Sequence, residues 1–218
     1  MISLKNKTVL ITAGPTYEPI DPVRFIGNRS SGKMGYAITT ELANRGAKIF
    51  LISGPSKLNI EHQNIELIRV ETAQEMYDAT HSHFSKTDIA ILSAAVADYT
   101  IANPSSIKIK KTSDSDELIL TLTKTKDILK SLGEIKKDHQ TLVGFALETN
   151  NEQENALKKL KKKNLDFIIL NSLQDKGAGF AHDTNKITIL DKRNNISKYE
   201  LKTKLEVAKD IADYLENY

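Results

Sequence analysis

The sequence predicts an α/β fold: a doubly wound, mostly parallel, Rossmann-like sheet with an antiparallel arm. Three observations carry this expectation. Short apolar, β-branched runs alternate with stretches of helical periodicity, the pattern of strands joined by crossover helices. Gly-Pro punctuation closes the first two runs, as where a strand enters a loop. With 218 residues, 39% hydrophobic and 27% charged, the chain is long enough for one sizeable core and too balanced for disorder.

Residues 8–12 form the first strand, ended by Ala13-Gly14-Pro15. A long polar loop follows over 13–32. Residues 33–45 set Met34, Ala37, Ile38 and Leu42 on one helical stripe that Gly46 stops. Residues 47–53 are the second strand. Thr72-Ala73-Gln74-Glu75 is a capping box opening a helix that runs to about Ser85, and 88–93 is a third buried strand. Residues 107–111 and 118–123 predict two strands joined by the polar turn 112–117, which is the arm. Helices over 127–136 and 152–163 then alternate with strands over 141–146 and 166–171. A late hairpin, 187–190 with 196–201, turns at Asn194-Asn195, and a helix over 204–214 closes the chain. The whole of 1–218 is expected to be a single domain, with the arm at about 107–123 serving as a dimerisation element or flap.

Composition removes several classes of function. There is no Cys, which excludes disulfides, thiolate-bound zinc and a cysteine nucleophile. The formal net charge of +3 permits anionic small molecules and gives no support for nucleic acid as a partner. No apolar stretch approaches the length of a membrane span, so a cytoplasmic protein without a membrane partner is expected.

In doubly wound sheets, ligands sit at the carboxyl ends of the strands. The loops over 13–32, 94–106, 147–151 and 172–185 are therefore the places to look. Gly27-Asn28-Arg29-Ser30-Ser31-Gly32-Lys33-Met34 nearly spells a phosphate-binding P-loop, but Met34 cannot offer magnesium a hydroxyl and the motif lies well past the first strand. What remains is an anion-attracting helix start at Ser30, Ser31 and Gly32. Plain capping by Ser30 or Ser31 is the alternative, and it is compatible with an anion. Ala13-Gly14-Pro15-Thr16 is not the dinucleotide fingerprint, and no Tyr is followed four residues later by Lys. An NAD(P)-dependent oxidoreductase is thus supported by fold alone.

Ser93-Ala94-Ala95-Val96-Ala97-Asp98 puts small residues at a strand end, where a ligand can approach the backbone. Asp98 could take a ribose hydroxyl or magnesium, or simply cap its loop. Lys108-Ile109-Lys110-Lys111 is either charge protecting an edge strand or a mobile clamp over a triphosphate, with Lys108 and Lys110 on one face. In the lysine-rich run 158–163, Ala156, Leu157 and Leu160 mark the buried stripe. Lys159 and Lys163 border that stripe, and Lys158, Lys161 and Lys162 lie toward solvent.

In this order, the motifs resemble the bacterial phosphopantothenate–cysteine ligase family across essentially the whole chain. The strongest block is Ile11-Thr12-Ala13-Gly14-Pro15-Thr16, Glu18 to Ile26, and Asn28 with Ser30-Ser31-Gly32-Lys33-Met34-Gly35. Ala94 to Asp98, Lys108 to Lys111, Gly144-Phe145-Ala146, Glu148-Thr149 and Asp183-Thr184-Asn185 follow. Gly27, Leu147 and Ala181-His182 depart from the family's usual residues at flanking positions. The resemblance implies a ligase that joins 4′-phosphopantothenate to L-cysteine, with CTP as co-substrate, magnesium, and an acyl-cytidylate intermediate. It implies that Asn28 handles the reacting carboxyl group and Lys108 the nucleotide phosphates, with Arg24, Ser30, Ser31 and Gly32 at the acyl substrate. Ser93, Ala94, Asp98, Lys126, Asp127, Ile128, Leu129, Phe145, Lys159 and Lys163 would bind the nucleotide. It further implies a homodimer with Arg24 near the subunit boundary, and a partner decarboxylase activity residing elsewhere, because the chain starts at the ligase's first strand. A nucleotide-binding protein without catalysis remains a third class.

Overall fold

The computed structural model describes residues 3–111, 117–148, 151–172 and 182–218. In chain order its elements are β1 (Thr8–Ala13), β2 (Tyr17–Pro19), β3 (Phe25–Gly27), α1 (Lys33–Asn44), β4 (Lys48–Ser53), β5 (Ile65–Arg69), α2 (Ala73–Phe84), β6 (Ile89–Leu92) and β7 (Tyr99–Ile101). There follow β8 (Leu122–Lys124), α3 (Ile128–Ile135), β9 (Thr141–Glu148), α4 (Glu152–Lys162), β10 (Phe167–Ser172), β11 (Thr184–Asn185), β12 (Ile187–Asp191), β13 (Ile196–Lys198), β14 (Lys202–Thr203) and α5 (Lys204–Asn217).

The central sheet runs β13-β12-β10-β9-β6-β1-β4-β5. From β5 to β10 every pairing is parallel, and the late hairpin β12–β13 adds two antiparallel strands at one edge. Alternation along β1 divides the core. Val9, Ile11 and Ala13 join the cluster under α1 and α5, while Leu10 joins the one under α2, α3 and α4. Winding proceeds outward from β1 through β4 and β5 on one side and through β6, β9 and β10 on the other. The carboxyl ends of β1 and β6 therefore flank the crevice where ligands bind in such sheets.

Local signals explain several elements. The capping box at α2 forms as expected: Thr72 Oγ1 accepts from the Glu75 N–H at 3.1 Å, and the Glu75 carboxylate accepts from the Thr72 N–H at 3.3 Å. At α1 the alternative of a serine cap is not what forms. The cap is Gly32, in a left-handed conformation at φ +81° and without a side-chain hydrogen bond.

The arm is also corrected. Residues 107–111 form no strand, and β8 pairs instead with β7, Tyr99 opposite Lys124. The 107–111 backbone is committed elsewhere: Ile109 N donates to Asp21 Oδ2 at 3.1 Å, and Arg24 Nη2 donates to the Ile109 carbonyl at 2.9 Å. The expected turn over 112–117 lies largely outside the described residues, as do Thr149, Ala181 and most of the 172–185 loop. Besides β7 and the short pair β11–β14, two features were not expected. One is the edge strand β5. The other is the hairpin β2–β3, where Tyr17 and Phe25 stack with ring centroids 3.8 Å apart inside the supposed polar loop.

Candidate functional site

A cavity of about 780 Å³ opens at the carboxyl ends of β1, β6, β9 and β10, large enough for a nucleotide-sized ligand. Its floor is made where the loops after β1 and β6 meet. Ala95 N donates to the Gly14 carbonyl at 2.9 Å, Thr16 N to the Ala95 carbonyl at 3.3 Å, and Ala97 N to Thr16 Oγ1 at 2.9 Å. Asn28 spans the same junction, with Nδ2 donating to the Ala95 and Val96 carbonyls at 2.9 and 3.1 Å. Both amide hydrogens are thereby used, which leaves Oδ1, an acceptor, for a ligand. Ser93 Oγ donates to the Thr12 carbonyl at 2.6 Å, which closes the strand ends.

One wall is the start of α1. Gly35 lets this helix come down onto β1 and β6, because a Cβ there would meet the Ala13 Cβ at 2.5 Å and Ser93 Oγ at 2.7 Å. With no side chain capping α1, the amides at its start are available to a ligand, and Gly32, Lys33, Met34 and Gly35 all line the cavity.

The opposite wall comes from α3 and α4. Asp127 caps α3, accepting from Lys130 N at 3.0 Å, and Lys163 Nζ lies 2.8 Å from its Oδ2. Burial alone would raise the Asp127 carboxyl, but the Lys163 ammonium, the Lys130 N–H and Lys159 outweigh it and hold it below its ordinary value. Lys159 Nζ donates to the Phe145 carbonyl at 2.8 Å. Lys126 sits over the Tyr77 ring, 4.6 Å from its centroid.

Of the residues expected from sequence, the structure gathers Asn28, Ser30, Ser31, Gly32, Ser93, Ala94, Asp98, Lys126, Asp127, Ile128, Leu129, Phe145, Lys159 and Lys163 around this single cavity. Lys108 and Arg24 lie outside it. Arg24 is held by Asp21, Nη2 to Oδ2 at 2.5 Å, and Lys108 is exposed on the segment that Ile109 anchors. Sequence reasoning passed over Thr12, Lys124, Asn171 and Lys204, which also line the cavity. The available signal for Lys204 was a cation at the first position of a helix, where the dipole disfavours it.

Among the described residues no group of three His, Asp or Glu side chains could hold a metal. The cavity contributes Asp98 and Asp127, and the latter is already engaged by Lys163. One free carboxylate suits magnesium only when ligand phosphates complete its shell. No helix among the described residues is long and apolar enough to cross a membrane.

Fold and cavity define a Rossmann-like α/β domain whose switch-point crevice is lined by lysines and helix starts. The chain belongs to the family described as the DNA/pantothenate metabolism flavoprotein C-terminal domain, whose model matches residues 4–218. It is 46% identical over 208 residues to the Bacillus subtilis (strain 168) coenzyme A biosynthesis bifunctional protein CoaBC, covering 95% of this chain and 50% of that protein. It is 55% identical over 208 residues to a protein from an unknown prokaryotic organism named cysteine/cysteine sulfinic acid decarboxylase, covering 95% and 57%. Among solved structures, the C-terminal domain of a CoaBC protein superposes with a TM-score of 0.81 at 43% identity, covering 97% of this chain and 96% of that one. The chain thus spans about half the length of the curated relatives it matches.

Proposed function

We propose that this domain is a phosphopantothenate–cysteine ligase, joining 4′-phosphopantothenate to L-cysteine at the expense of CTP. The observation that carries this reading is the convergence of Asn28, the Ser93–Asp98 loop, the α1 start and Lys159 and Lys163 on one cavity. Its match to the C-terminal domain of a CoaBC protein over nearly its full length supports the same assignment.

A carboxylate does not accept an amine at neutral pH, because its leaving group would be oxide. Attack of the carboxylate oxygen on the α-phosphorus of CTP forms an acyl-cytidylate and expels pyrophosphate. The cysteine amine then attacks the acyl carbon, loses a proton, and displaces CMP. Negative charge shifts among phosphoryl oxygens in the first step, so the preorganised ammoniums of Lys159 and Lys163 suit it. Magnesium would be held by the nucleotide phosphates with Asp98 and would neutralise part of that charge. Asn28 positions its Oδ1 at the junction of the two floor loops, where the acyl group would lie.

Lys108 would reach the nucleotide phosphates only if the 102–111 segment moved over the cavity or a second copy supplied it. The segment's neighbourhood carries exposed apolar side chains, Ile107 at 75% and Ile119 at 85%, which supports a homodimer. Sedimentation at micromolar concentration tests this, and a monomer would remove the dimer from the proposal.

The deciding experiment mixes the protein with 4′-phosphopantothenate, cysteine, CTP and magnesium and measures pyrophosphate. Release that depends on both CTP and phosphopantothenate is expected, with kcat/KM higher for CTP than for ATP. No release with either nucleotide refutes the ligase, and equal values for the two nucleotides refute the base preference.

A further inference from the structure

Lys126 joins the cavity wall from the position just before the α3 cap, where the positive end of the helix dipole disfavours an ammonium. The backbone on either side of it is tied down. Thr125 N donates to the Asp98 carbonyl at 3.0 Å and Thr125 Oγ1 to the Ala97 carbonyl at 2.7 Å, while Asp127 caps α3. None of these bonds orders the exposed Lys126 side chain itself. A lysine that wanders among rotamers must give up that freedom on meeting a ligand, and the loss subtracts from affinity.

A ring on a different helix supplies the order. Lys126 Nζ stands over Tyr77 of α2, 4.6 Å from the ring centroid, and the negative face of an aromatic ring attracts a cation. Tyr77 packs against the core under α2, α3 and α4 and does not line the cavity. One turn further along α2, His81 stacks on Tyr77, with ring centroids 4.0 Å apart and planes at 21°. The Nδ1 of His81 is buried and has no hydrogen-bond partner among the described residues. Leaving a buried nitrogen unpaired costs stability, so the imidazole serves here as a flat packing surface. Burial keeps His81 below its ordinary proton affinity, with Asp78 opposing and Lys126 adding to the effect. A neutral imidazole does not compete with Lys126 for the tyrosine ring.

We propose that Tyr77 is a positioning residue for Lys126: its ring, backed by the His81 imidazole, holds the ammonium at the cavity wall before a nucleotide arrives. That the ligand is a nucleotide rests on the ligase reading. Tyr77 and His81 touch no ligand themselves and act through Lys126.

The test has two readouts. CTP affinity is measured by calorimetry, without turnover, for Tyr77→Leu, Tyr77→Phe and His81→Leu, each alone and combined with Lys126→Gln. Tyr77→Leu is expected to weaken CTP binding by about fivefold, through loss of the cation–π contact and the order it imposes. The same substitution should add nothing once Lys126→Gln is present. Tyr77→Phe keeps the ring face and should bind CTP as the wild type does. His81→Leu should show a smaller loss with the same dependence on Lys126, and it decides the matter should Tyr77→Leu not fold. In the ligand-free protein, NMR should find the Lys126 methylene protons beside Nζ shifted upfield by the ring, an effect lost in Tyr77→Leu and kept in Tyr77→Phe. The positioning role is overturned by unchanged CTP affinity in Tyr77→Leu and His81→Leu, or by an equal loss with and without Lys126→Gln. An equal loss in Tyr77→Phe, or no upfield shift in the wild type, overturns it as well. Wild-type protein that binds CTP but releases no pyrophosphate in the full reaction refutes the ligase and leaves the positioning standing. Full turnover with a CTP affinity that Tyr77→Leu does not alter refutes the positioning alone, and wild-type protein that does not bind CTP refutes both.

Discussion

Lys163 reaches from the end of α4 to the cap of α3, its Nζ 2.8 Å from Asp127 Oδ2, and so fixes the distance between the two helices that make one cavity wall. The Lys163 side chain is 18% exposed and that of Asp127 44%, so solvent screens the pair. A double-mutant cycle on Lys163→Gln and Asp127→Asn, read by urea denaturation, is expected to give a coupling of about 1 kcal/mol or less. The same Lys163→Gln should raise KM for CTP by about tenfold, through the lost charge-assisted contact to phosphate. A large coupling with an unchanged KM would make the pair structural only.

Asn28→Asp keeps the shape of the side chain but removes both hydrogens that the Ala95 and Val96 carbonyls receive. A carboxylate there faces two carbonyl oxygens and, in the proposed reaction, would stand beside the developing acyl phosphate. Conversion of the acyl-cytidylate by cysteine should suffer more than the affinity for CTP. Quenched-flow separation of the intermediate from the final product checks this, and a variant that loses CTP affinity first would show the expectation to be wrong.

Lys108→Gln removes a charge from a segment lying outside the cavity. If that segment or its copy closes over the nucleotide, acyl-cytidylate formation should slow by a factor on the order of 10²–10³. Formation at the wild-type rate would leave Lys108 as surface charge.

Asp21 is buried and accepts from Arg24, from the Val23 and Arg24 amides, and from Ile109 N. The Arg24 guanidinium, followed by these amides, outweighs burial and holds its carboxyl well below the ordinary 3.8. A carboxyl with a depressed folded value adds stability that is fully present above its unfolded value and lost as pH falls through the folded one. Asp21→Asn should therefore melt lower than the wild type at pH 7, with the gap shrinking as pH drops below 3.8. A gap that does not change with pH would mean that the charge of Asp21 contributes nothing.

The parallel core was legible because β1, β4 and β6 are continuous apolar runs, as strands buried on both faces must be. β5 escaped because Glu66 and Arg69 interrupt its apolar residues at an exposed edge. The arm failed for a different reason. Residues 107–111 look like a strand, but their backbone groups find tertiary partners in Asp21 and Arg24, which no local pattern announces. Helical spacing was enough to pick Lys159 and Lys163 from a run of lysines, since only the stripe's border can reach the sheet. Lys204 stayed hidden because its burial depends on α1 and on residues near Asp183, distant in sequence.

The stitching of the two floor loops has a consequence for how binding free energy is distributed. Three hydrogen bonds through Gly14, Thr16, Ala95 and Ala97, with Asn28 across them, hold the crevice floor in one arrangement before anything enters. A loose loop would lose conformational entropy each time a ligand settled on it, and that loss would subtract from affinity. Here the floor has little such freedom left to lose, so contacts made with it count almost in full toward affinity, and any segment that must close over the ligand carries the ordering penalty instead.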